Sequence, residues 1–147
     1  MRKFEPYLPF TIECNDGINS AWEDVQMKTG ILVVDDELSM REFLSILLER
    51  EGYETVVAAS AEEALLLLES RVFDLIISDV QMPGLNGIDL LTRIKETTPE
   101  TAVLMMTAYS ASEQAVEAMK LGAYDYLSKP FKVEELKILI KNAIAAI

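Results

Sequence analysis

From Gly30 onward the chain alternates short runs of branched apolar residues with longer stretches in which apolar residues return every three or four positions. That alternation constrains the fold more than any other feature. Runs such as Ile31-Leu32-Val33-Val34 and Leu75-Ile76-Ile77 lack the polar alternation of a half-exposed strand, so they read as strands buried on both faces. Strands are expected at 30–34, 53–58, 73–78, 101–106 and 124–127. Helical spacing follows each of them, with stops at Gly52, before Pro99 and at Gly122, and a last helix over 133–147. Ser60 with Glu63 and Ser110 with Glu113 have the capping-box pattern at two helix starts. Five β-α units with short connections predict a doubly wound α/β sandwich.

A chain of 147 residues, half of them hydrophobic, suits one domain with a full core. The net charge of −12 argues against direct binding of nucleic acid. No histidine is present, which removes His-based catalysis and disfavours zinc. The single cysteine, Cys14, fits a reducing cytoplasm, and no apolar run approaches membrane-spanning length. Residues 1–29, with Pro6, Pro9, Asn15 and Gly17, are expected to form an extension with little structure of its own. At most Ser20 and Glu23 open one short helix there, from which Trp22 packs on the domain.

The chemistry collects at strand ends. Asp35 and Asp36 close the first strand and Asp79 the third, and open parallel sheets bind ligands beyond their carboxyl ends. Two like charges ~4 Å apart repel by about 4 kcal/mol at an effective dielectric near 20, so three converging carboxylates call for a bound cation or a raised pKa. The fourth strand runs into Thr107 and the fifth into Lys129-Pro130, adding a hydroxyl and an ammonium to the same edge. Phosphoryl transfer to a carboxylate uses this inventory: an aspartate nucleophile, magnesium held by oxygen ligands, and cationic and hydroxyl donors for the phosphoryl oxygens. Taken singly, each residue also has a plain role. Asp35 or Asp36 would cap the first helix, Asp79 would begin a turn before Pro83, and Lys129 would be solvated surface. Thr107 and Tyr126 would be strand packing, and Met82, Met105 and Met106 core filler. None of these roles explains acids, hydroxyl and lysine at one edge.

At these residues the sequence resembles the receiver domain of two-component response regulators. The matching pieces are Val33-Val34-Asp35-Asp36, Ser78-Asp79-Val80-Gln81-Met82-Pro83-Gly84, Asn86-Gly87, Thr107-Ala108 and Lys129-Pro130-Phe131, spread over residues 30–147. The resemblance implies a flavodoxin-like α/β fold, with five parallel strands in the order 2-1-3-4-5 and five helices. It makes Asp79 the phosphoacceptor, fed by a sensor histidine kinase, and makes Asp35, Asp36, Asp79 and the backbone carbonyl of Gln81 the Mg2+ ligands. Lys129 becomes the contact to a phosphoryl oxygen, with a cis bond to Pro130. Thr107 and Tyr126 become the switch pair that reshapes the face of the fourth helix, fifth strand and fifth helix, through which a homodimer would form. Gln81 and Tyr109, two residues beyond Asp79 and Thr107, would govern access of the hydrolytic water. The segment 95–141 most resembles receivers of nitrogen-regulator-type transcription activators, whose output domains lie downstream.

The apolar stripe Leu136, Leu139, Ile140, Ala143, Ile144 and Ile147 implies either packing on the sheet or continuation into a linker or another subunit. Two other function classes stay open. An aspartate-nucleophile phosphatase would carry Asp-x-Asp after the first strand, where this chain has Asp35-Asp36-Glu37. An interaction module derived from a receiver would fail to bind magnesium. Neither G-x-G-x-x-G nor a Walker loop is present.

Overall fold

A computed structural model describes residues 29–108 and 113–146. The expectations for Cys14, Trp22 and the Ser20 helix, for Tyr109 and the Ser110 cap, and for Ile147 lie outside the described residues.

Five strands, β1 (Gly30–Val34), β2 (Glu54–Ala58), β3 (Leu75–Asp79), β4 (Ala102–Thr107) and β5 (Asp125–Ser128), form one parallel sheet in the order β2-β1-β3-β4-β5. They alternate with α1 (Leu38–Arg50), α2 (Ala61–Ser70), α3 (Gly87–Thr97), α4 (Glu113–Lys120) and α5 (Val133–Ala145). Successive strand residues point to opposite faces, so each apolar run serves two cores. Leu32, Val34, Ile76, Val103 and Met105 join Ala61, Ala64, Leu90, Leu91, Ile94 and Ala118 from α2, α3 and α4. Ile31, Val33, Leu75, Ile77, Leu104 and Met106 join Leu44, Leu48, Leu136, Ile140 and Ala143 from α1 and α5. The apolar stripe of the last helix therefore packs on the sheet.

Local chemistry sets the helix starts. Ser60 Oγ accepts from Glu63 N at 3.0 Å, but Glu63 Oε1 takes the N–H of Ala59 at 2.6 Å, so the reciprocal half of the expected box is shifted by one residue. Asn86 and Asp89 form a complete capping box at α3, which the Pro-Gly-rich run before it gave no reason to expect. Capping by Asp35 or Asp36 is corrected: Glu37 is the N-cap of α1 and makes no side-chain bond there. Asp35 Oδ1 instead accepts from Glu37 N at 2.9 Å, which turns the chain out of the sheet and holds the carboxylate in place. No helix among the described residues is long and apolar enough to cross a membrane.

Candidate metal and phosphoryl site

Parallel pairing brings every carboxyl end to one edge of the sheet. The β1–β3 register matches Val34 with Ser78, and the β3–β4 register matches Asp79 with Met106. Asp35 thus emerges next to Asp79, the last residue of β3, and Thr107 one residue beyond Asp79's partner. Thr107 pairs with Ser128, and its carbonyl accepts from Lys129 N at 2.7 Å. Lys129 is thereby fixed at its backbone before its side chain turns inward. Its bond to Pro130 is cis.

At this edge Lys129 Nζ lies 3.0 Å from Asp35 Oδ2 and 3.2 Å from Asp79 Oδ2. Asp35 is fully buried, Asp79 is 8% exposed, and Asp36 lies exposed beside them. One oxygen from each of the three acids falls within a 4.8 Å cluster. Burial raises the Asp79 carboxyl above its ordinary pKa; Lys129 opposes that shift, Asp35 adds to it, and the upward effects prevail. Burial alone would lower the Lys129 ammonium, but the hydrogen bond to Asp35 and the charges of Asp79 and Asp35 outweigh it and raise the pKa. One lysine therefore leaves the cluster short of positive charge. An all-oxygen donor set with a residual negative charge fits a hard divalent cation such as magnesium, so these residues suit the ion the sequence implies.

Around the acids the packing is close. Gln81 N reaches toward Asp79 Oδ1 at 3.4 Å, and Gln81 Nε2 lies 3.4 Å from Gln114 Oε1 on α4. The Gln81 side chain, expected to govern access of the hydrolytic water together with Tyr109, thus spans from the Asp79 loop to α4. Thr107 is buried, and Tyr126 is half-buried against the core that contains Met105. Met82, Met105 and Met106 are core residues. Gly87, in the matching piece Asn86-Gly87, has a structural role. A Cβ on it would collide with the carbonyl oxygen of Asp79 and lie 2.8 Å from Val80 Cα and 2.9 Å from Met105 Cε. Only glycine lets α3 start against the end of β3, where Gly87 N also bonds Val80 O at 2.8 Å.

With this geometry in place, the comparisons are consistent. The family model for the response regulator receiver domain matches residues 31–141. Among curated proteins, the chain is 46% identical over 115 residues to the transcriptional regulatory protein ZraR of Escherichia coli, covering 78% of this chain and 26% of that one. It is 47% identical over 114 residues to the response regulator protein FleR of Pseudomonas aeruginosa, covering 78% and 24%. The chain thus spans about a quarter of the length of these relatives. Among solved structures, the receiver domain of NtrX from Brucella abortus matches with a TM-score of 0.76 and 38% identity, over 80% of this chain and 99% of that one. A response regulator receiver domain protein from Clostridium thermocellum matches with a TM-score of 0.76 and 40% identity, over 80% and 95%.

Proposed function

This chain belongs to the response regulator receiver family, and from that membership we propose that Asp79 accepts a phosphoryl group from a sensor histidine kinase in the cytoplasm. The observation that carries the proposal is the bridge Asp35–Lys129–Asp79 beside the exposed carboxylate of Asp36. An Asp79 carboxylate oxygen forms the bond to phosphorus while the bond from phosphorus to the donor breaks, and the electron pair leaves with the donor. Asp35, Asp36, Asp79 and the backbone carbonyl of Gln81 are the residues that would hold Mg2+. When bound, the ion neutralises charge on the phosphoryl oxygens. Lys129, 3.2 Å from Asp79, would meet a phosphoryl oxygen as a cation held ready for developing charge. The chain is on this reading a phosphoacceptor that assists its own phosphorylation and dephosphorylation.

Thr107 and Tyr126 relay the change. The Thr107 hydroxyl moves toward the phosphoryl group and the Tyr126 ring follows inward, which reshapes the face made by α4, β5 and α5. Homodimerisation through that face would pass the signal to an output. ZraR is a transcriptional regulatory protein, which supports transcriptional control as that output.

Intact mass after incubation with acetyl phosphate and magnesium tests the proposal on wild type and Asp79→Asn. One phosphoryl adduct is expected in the wild type, absent without magnesium and absent in the variant. No adduct on folded protein would instead favour a module that acts by binding alone.

A further inference from the structure

Glu62 sits in the first turn of α2, yet its carboxylate serves the loop that follows Asp79. Oε2 accepts the backbone N–H of Leu85 at 3.1 Å. Gly84 lies under the same oxygen: its φ is 77°, and a Cβ there would come within 3.0 Å of Oε2. Glycine at this position thus permits both the turn and the approach of the carboxylate. Hydrogen bonds from its own backbone N–H and from Leu85 hold the Glu62 carboxyl below its ordinary pKa. The neighbouring acid does a different job, since Glu63 binds Ala59 N and is itself bonded to Ser60, which fixes the turn from which Glu62 reaches out.

Besides the bonds of Val80 N to Met106 O at 2.9 Å and of Gln81 Nε2 to Gln114 Oε1 at 3.4 Å, three anchor points set the course of the loop. It leaves the sheet at Asp79, and it returns where Gly87 abuts the Asp79 carbonyl and bonds Val80 O. Its outer part, Gly84 and Leu85, is held from α2. Gln81, whose carbonyl and N–H face the site on the reading above, lies on the span between the first anchor and the third.

We propose that Glu62 is a positioning residue for phosphorylation of Asp79: by clamping Gly84 and Leu85 to α2 it holds the loop that presents the Gln81 backbone. This rests on Asp79 being the phosphoacceptor. Releasing Leu85 would let the loop sample more conformations, so a smaller fraction of molecules would hold the Gln81 carbonyl and the Asp79 carboxylate in register.

The full chain with acetyl phosphate and magnesium provides the test, with adduct formation followed by intact mass and exchange of the Leu85 amide followed by NMR without magnesium. Glu62→Ala is expected to form the adduct about fivefold more slowly, with more magnesium needed for half-maximal rate and faster Leu85 exchange. Glu62→Gln keeps an oxygen that accepts from Leu85 and should recover most of the rate and the protection. Glu62→Asp keeps the charge but is too short to reach, and should behave like Glu62→Ala; it also serves if the alanine variant does not fold. A wild-type rate in Glu62→Asp, or a Glu62→Gln as slow as Glu62→Ala, overturns the clamp. Failure of the phosphoacceptor reading looks different: the wild type would gain no adduct that Asp79→Asn removes, while the Leu85 exchange would still report on the clamp.

Discussion

Asp79 and Lys129 are read correctly only as a pair, and the pair sets the response to pH. The folded-state pKa of Asp79 lies above its unfolded value because burial disfavours the anion. The native state therefore binds this proton more tightly than the unfolded chain does, and the group's contribution to stability is lost as pH rises through the raised pKa. Asp79→Asn removes that ionisation. Without magnesium, it should raise the urea midpoint at pH 7 above that of the wild type, and the gain should shrink toward pH 4. A variant less stable than the wild type at pH 7 would mean that the bond to Lys129 outweighs the burial of charge. The three types of group at this edge, carboxylate, hydroxyl and ammonium, were legible residue by residue, since each closes an apolar run. Their pairing was not: Lys129 is 94 residues from Asp35 and 50 from Asp79, and no local pattern reports a contact over such distances.

At the scale of elements, helix starts decide how closely the layers approach the site. α3 begins at a capping box of Asn86 and Asp89, and its first residue touches the backbone of Asp79 and Val80. Gly87→Ala should destabilise the protein by about 2 kcal/mol, because either α3 or the end of β3 must shift to admit the methyl group. Equilibrium urea unfolding measures it; a cost under about 0.5 kcal/mol would show that the helix gives way freely. In the sequence Asn86-Gly87 is only one of the matching pieces, since a turn of Pro83, Gly84, Asn86 and Gly87 looks the same whether its last glycine supplies a backbone angle or a gap for a carbonyl. Glu62 was equally hidden. On its own it is one more acid in the first turn of a helix, and its role at Leu85 depends on α2 and α3 lying side by side.

For the whole molecule, the two cores give the last helix its place. Ile140 is buried in the core it shares with α1 and the sheet, whereas Ile138, two residues away, is 57% exposed. Ile140→Ala should cost about 3 kcal/mol in urea unfolding, the scale of a large buried side chain replaced by a cavity, and Ile138→Ala should stay within about 0.5 kcal/mol. Equal costs would show that this helix also packs outward, against another subunit. The sequence by itself determined the α/β class, the order of the elements with bounds to within a few residues, and which polar groups close four of the five strands, because periodicity and end residues are local properties that burial on two faces imposes directly. The tertiary structure decided which charges pair, which acid takes the Leu85 amide and which glycine must stay bare. Those outcomes depend on β3 lying between β1 and β4 and on the distance at which each helix settles, and close packing sets that distance for the molecule as a whole.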